Sequence, residues 1–108
     1  MSGLPIGALR HRLRVETPID VEDDFGGFVR TYRVMTYLWA RVSAINATEQ
    51  FIEQRFEQAT NFQVDLRWRS DIIAGMRFIF GKRILLIRGV READGAKRFL
   101  TCACEEIT

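Results

Sequence analysis

The sequence is short of most residues from which active sites are built. It has one histidine, His11. A hydrolytic triad needs that imidazole as a base. Yet His11 shares parity with Leu9, Leu13 and Val15 on an alternating stretch, where a histidine reads as a core or barrel-mouth residue. It has two cysteines, Cys102 and Cys104, one residue apart. On a strand they face the same way with Cα atoms about 6–7 Å apart, at or past the span of a disulfide. With one histidine in the chain they make no metal set. No glycine-rich strand-to-helix turn is present to cradle a phosphate. No apolar run nears the ~20 residues of a spanning helix. Met1–Ile6 lacks the basic start and apolar centre of a signal peptide, so a cytoplasmic origin is expected. Lysine is scarce as well: 14 of the 16 basic residues are arginine, the cation suited to planar, bidentate contacts at interfaces.

What is present is an ordinary globular composition. The 108 residues are 47% hydrophobic, with a mean hydropathy of −0.07. This predicts one domain over residues 1–108, able to bury roughly two thirds of its unfolded surface. A net charge of only +2 argues against simple electrostatic attachment to DNA. The charge is unevenly placed. Five acids and no base fall between Glu16 and Asp24, whereas seven bases and one acid, Asp71, fall between Arg67 and Arg91.

Hydrophobic periodicity orders the chain. Met1–Ala8 carries glycine and proline breakers and reads as a flexible N-terminal arm. Leu9–Thr17 alternates apolar and charged residues, the pattern of a strand. Pro18–Gly27 reads as a long acidic loop with a permissive Gly26-Gly27 end. Phe28–Val42 is rich in β-branched and aromatic residues, but its parity breaks. Tyr32, Val34, Leu38, Ala40 and Val42 share one phase, and Met35, Tyr37 and Trp39 the other. A bend or bulge at Met35–Tyr37 would split it in two. Asn46–Ala59 switches to a helical period through Ile52, Phe56 and Ala59, with Asn46 and Glu49 at capping-box spacing. That helix either packs on the core or is a movable element facing a partner or a channel.

Asn61–Arg69 returns to strict alternation, with Phe62, Val64, Leu66 and Trp68 inward. Met76–Phe80 and Ile84–Arg88 flank Gly81-Lys82-Arg83 as a hairpin, and Val90–Ala93 extends its second arm. Asp94-Gly95 marks a turn. Arg98–Ile107 closes the chain with Leu100, Cys102 and Cys104 inward. The predicted fold is mainly all-β: a small antiparallel β-barrel or sandwich of six or seven strands, with one short inserted helix and a long acidic loop.

Two carboxylate groups need a reading. Asp20, Glu22, Asp23 and Asp24 lack the spaced ligands, central glycine and terminal glutamate of a calcium loop, so a solvated or docking loop is expected. Glu49, Glu53 and Glu57 form one helical stripe and repel unless Arg55 or a partner compensates. Neither group makes an acid–base site. The chain is expected to be no enzyme and to hold no cofactor or metal.

The order and spacing of several stretches resemble the head–tail joining, or head-closure, proteins of tailed phages and their gene-transfer-agent relatives. These are Gly7-Ala8-Leu9-Arg10-His11-Arg12-Leu13, Asp24-Phe25-Gly26-Gly27, Trp39-Ala40-Arg41-Val42, Glu49, Val64-Asp65-Leu66-Arg67-Trp68-Arg69, Gly75-Met76-Arg77 and the Gly81 hairpin. The chain departs from that pattern near Leu85, where a tyrosine often stands. The resemblance implies a β-barrel-like, non-catalytic virion protein, assembled in the bacterial cytoplasm as a ring, sixfold by family habit. Portal and adaptor proteins lie above the ring and a tail terminator or tail tube below. Double-stranded DNA passes through without sequence-specific binding, and no membrane is involved. A segment around Ser43–Thr60 is expected to project into the channel.

A cyclic ring needs two different patches per subunit. The candidates are a docking loop of Asp20, Glu22, Asp23, Asp24 and Phe25, and a basic face of Arg67, Arg69, Arg77, Arg83 and Arg88. Solvated surface is the alternative for both. Glu49, Glu53 and Glu57 are the candidate channel lining. Two other functions stay open: a small β-barrel binding single-stranded nucleic acid through Trp68, Phe62, Tyr32, Tyr37 and the arginines, and a tail-terminator or minor tail protein.

Overall fold

Alternating apolar and polar runs become strands wherever a neighbour covers the apolar side. The structure, a computed structural model, describes residues 9–45, 61–93 and 95–107. Those residues form six strands and no helix: β1 His11–Glu22, β2 Phe28–Ile45, β3 Asn61–Arg67, β4 Arg77–Phe80, β5 Arg83–Glu92 and β6 Phe99–Ile107. All pairings are antiparallel. The order is β1-β2-β3-β6-β5-β4, and β4 returns to β1 through Arg14–Ile79, Val15–Phe78 and Glu16–Arg77, so the sheet closes into a barrel. Closure gives every strand a neighbour on both sides over at least part of its length.

The interior is the sum of the inward parities. Leu13 and Val15, Ala40 and Val42, Phe62, Val64 and Leu66, Phe78, Leu85 and Ile87, and Leu100, Cys102 and Cys104 form one buried cluster. Each large member adds roughly 1.5–3 kcal/mol through burial. Cys102 and Cys104 lie opposite Val64 and Phe62 and are free thiols in the core. His11 is half-buried and sets its ring edge-on to Phe80, with centroids 4.9 Å apart.

The parity break in β2 is a bulge. Val15 faces Thr36 while Glu16 faces Val34, leaving Met35 as the extra residue. The strand bends there but does not split, because β1 pairs with it on both sides of the bulge. A second irregularity leaves Arg88 unpaired between Ile87 and Gly89, which lets β5 run unbroken from Arg83 to Glu92. The β4–β5 turn is Gly81-Lys82. Only Gly81 takes a positive φ, 61°, as a type II′ turn requires.

The structure corrects the expectation of a long acidic loop. β1 does not end at Thr17. It continues through Pro18, Ile19, Asp20, Val21 and Glu22, paired with Tyr32, Thr31, Arg30, Val29 and Phe28. Proline is tolerated there because β4 stops pairing at Glu16, so this stretch is an edge. The loop proper is Asp23–Gly27. The expected helix over Asn46–Ala59, with Glu49, Glu53 and Glu57, and the arm over Met1–Ala8 lie outside the described residues.

Candidate docking surfaces

Beyond Glu16 on one side and Ala40 on the other, β1 and β2 have only each other as partners. They leave the barrel as a two-stranded arm of six residue pairs, from Thr17–Arg33 to Glu22–Phe28. At about 3.3 Å per residue this is a projection of nearly 20 Å. Residues directly opposite share a face. One face therefore carries Thr17, Ile19, Val21, Val29, Thr31 and Arg33. The other carries Pro18, Tyr32, Asp20, Arg30, Glu22 and Phe28.

The arm's tip is preset by its own hydrogen bonds. The Asp23 amide donates to the Gly27 carbonyl at 2.9 Å. Asp23 Oδ1 accepts from the amides of Phe25, at 2.9 Å, and Gly27, at 2.8 Å. Gly26 takes a φ of 81°, which disfavours any side chain there. This geometry pushes Phe25 outward until it is 94% exposed, with Phe28 at 68%. Exposed aromatics at the end of a projecting element mark contact surfaces rather than core.

Midway along the arm, Arg30 Nε donates to Asp20 Oδ1 at 3.0 Å. The hydrogen bond from Arg30 holds the Asp20 carboxyl below its ordinary value. At the root, Glu16 is buried between two cations. Its Oε1 accepts from Arg77 Nε at 2.7 Å, and Arg14 Nε lies 2.9 Å from its Oε2. The Arg77 guanidinium also stacks on Tyr32, 3.7 Å from the ring centroid. Barrel strand β4 is thus tied to both strands of the arm at its base.

The five arginines proposed as one basic face are not brought together. In the closed order, β3 with Arg67 lies across the ring from β4 with Arg77. Four of the five already have carboxylates: Arg77 with Glu16, Arg83 with Glu106, Arg88 with Glu105, and Arg69 with Asp71. Arg69 grips Asp71 through two 2.9 Å hydrogen bonds, which hold the Asp71 carboxyl low and the Arg69 guanidinium high. Arg67 alone of the five has no ion pair among the described residues.

Arg67 instead lines two cavities at the end of β3, one toward β2 and one toward β6. One, about 580 Å³, is walled by Leu9, Leu38, Trp39 and Leu66 with Arg67 and Arg69. The other, about 330 Å³, is walled by Arg67, Trp68, Lys97, Arg98 and Phe99. The Trp68 amide donates to the Arg98 carbonyl at 2.9 Å, which sets this second wall. Lys97, at a φ of 56°, hangs its ammonium 5.6 Å from the Trp68 ring centroid. Lys97 and Arg98 escaped sequence reasoning. They follow the Asp94-Gly95 turn in sequence, and only the β3–β6 pairing sets them beside Arg67.

The same geometry weighs on the stacking platform imagined for single-stranded nucleic acid. Phe62 is wholly enclosed, Trp68 packs against the core, and Tyr32 is covered by Arg77. Tyr37 and Trp39 stay half-exposed, with Arg12 against both rings. Among the described residues no group of three or more His, Cys, Asp or Glu is placed to hold a metal ion.

Comparison with known proteins gives a consistent result. A family model described as phage head completion protein matches residues 4–107. The solution structure of a Shigella flexneri 2a protein is similar at a TM-score of 0.69 and 28% identity, covering 95% of this chain and 96% of that one. A chain of the virion of a native gene transfer agent particle is similar at a TM-score of 0.72 and 27% identity, covering 92% of this chain and 96% of that one. No curated protein matches.

Proposed function

The chain belongs to the phage head completion protein family, a structural component of phage-type particles, and from that premise we propose that it forms the ring that closes a DNA-filled head and receives the tail. The observation that carries this reading is the β1–β2 arm. A monomeric domain gains nothing from a projection with two unpaired edges and an aromatic tip, and it risks aggregation through them. A ring component uses such an arm to reach its neighbour. The likeness to a gene transfer agent virion chain supports the same reading. The neighbours in this reading are the portal and adaptor on the head side and a tail terminator or tail tube on the other, with a sixfold ring of identical copies. The role is mechanical rather than catalytic.

Removing the gene tests it. Particles made without the protein should package DNA and then lose it, and should accumulate as tailless heads. Supplying the protein in trans should restore both. Tailed, DNA-retaining particles in its absence would overturn the reading. The gate belongs to the same proposal and rests on sequence: Glu49, Glu53 and Glu57 present negative charge to DNA, a wall to which phosphates do not stick. Replacing all three by glutamine should slow ejection, and an unchanged ejection rate removes them from the channel.

A further inference from the structure

We propose that the tip of the β1–β2 arm of one copy seats in the groove lined by Arg67, Trp68 and Lys97 on the next copy, so that one chain carries both halves of a head-to-tail joint. The inference rests on the ring reading and gives it an address.

The two surfaces match in chemistry. The tip presents Phe25 next to Asp24 in the turn, and Phe28 directly across the ribbon from Glu22. Neither of those acids has an ion pair among the described residues, and Asp23 is occupied in its own turn. The groove offers an aromatic wall, Trp68 and Phe99, rimmed by Arg67 and Lys97. Neither cation has a carboxylate partner among the described residues. Lys97 rests on Trp68 instead. Two exposed phenylalanines, each beside one unpaired acid, thus have a counterpart in an aromatic-walled slot rimmed by unpaired cations. Complementary charge of this kind steers the encounter and sets the register, while the buried ring supplies the affinity.

Reach decides who the partner is. The groove lies at the end of the β3–β6 pairing, beyond Leu66 and its β2 partner Ala40, whereas the arm begins only at Arg33. The tip is nearly 20 Å farther out along a paired ribbon, so it cannot fold back into its own groove. A second copy can supply it. The two patches differ, so the contact is heterologous and propagates, closing into a ring where the rotation allows. The Asp23 turn holds Phe25 outward before contact, which lowers the ordering cost of docking.

The test uses two versions of the full chain, each with one added cysteine. Val21→Cys puts a thiol beside the tip and Ala96→Cys one beside the groove, leaving Glu22, Asp24, Phe25, Arg67 and Lys97 intact. The native Cys102 and Cys104 are buried in the core and stay silent. A bismaleimide is added to an equimolar mixture, in concentrated purified protein and in assembled particles. The mixed dimer should clearly exceed the two like dimers together, the proportion that random encounter alone would give. Glu22→Lys with Asp24→Lys on the tip copy should cut its yield about tenfold, and Arg67→Glu with Lys97→Glu on the groove copy should restore it. A mixed dimer no more abundant than the two like dimers together in both preparations, or one indifferent to charge reversal, overturns the joint. Head closure is read separately, by DNA retention. Particles that contain the protein and keep their DNA but give no mixed cross-link refute the joint and spare the ring.

Discussion

β1 and β2 each live two lives. In their barrel halves Leu13, Val15, Ala40 and Val42 are sealed inside, because β4 and β3 continue the sheet on either side. In their arm halves the same strands carry Val21, Phe28 and Val29 into solvent, because those neighbours have stopped. Strand propensity is alike in both halves. Burial is decided by who stands alongside, and it separates a part that holds the fold from a part free to hold something else. Stability and assembly should therefore be separable by mutation.

The largest effect expected sets the two halves directly against each other. Phe78 fills the barrel interior and is wholly buried. Phe78→Ala should cost about 3–5 kcal/mol in denaturant unfolding, through lost transfer energy and the cavity left behind. Phe25→Ala at the exposed tip should stay within about 0.5 kcal/mol of the native protein while reducing incorporation into particles. If Phe25→Ala destabilises as much as Phe78→Ala, the division fails.

Next comes the junction. Glu16 is held by both Arg14 and Arg77, and its side chain is only 8% exposed. Glu16→Gln keeps the shape but leaves two partly covered cations short of a carboxylate. It should cost about 2 kcal/mol and quicken amide exchange in the arm more than in β3 or β6. A uniform rise in exchange would mean that the cluster belongs to the barrel alone. Farther out, Asp23→Ala removes the acceptor for two turn amides and should cost about 1 kcal/mol, visible as fraying confined to residues 22–28.

These halves were not equally legible in the sequence. Phe62, Val64 and Leu66 read correctly as inward, as did Leu100, Cys102 and Cys104, because a strand with one buried face writes its period into the chain. The phase slip at Met35 was legible for the same reason. The end of β1 was not. Where both faces are wet, burial imposes no period, and Pro18 with four acids resembles a loop. The partner that makes it a strand, Phe28–Arg33, lies across the turn. The ion pairs made by the basic-face arginines were hidden for a different reason. Arg77 stands across from Leu86 and Arg83 across from Phe80, so the β4–β5 hairpin sets them on opposite faces of the sheet, and glutamates of β1 and β6 meet these two and Arg88. The groove cations came together only through the β3–β6 register.

The smallest effect expected distinguishes the arm from the rest by pH. The hydrogen bond from Arg30 lowers the Asp20 carboxyl below its ordinary value of 3.8. A carboxyl lowered by folding stabilises the folded arm above that ordinary value, and the contribution is lost as pH falls through the lowered one. Asp20 is fully exposed, so solvent screens the pair and the effect is local. Acidification through and below pH 3.8 should speed amide exchange at Ile19–Val21 and Val29–Thr31 before it disturbs β3 or β6. Asp71, lowered by Arg69 in the same sense, acts as an internal control: its titration should loosen the Ser70–Gly75 connection and leave the arm alone. In Asp20→Asn the acid step at the arm should vanish while the Asp71 step remains. If the arm step survives that substitution, Arg30 is not what braces the two strands, and the arm's order must come from Tyr32 and Arg77 at its root.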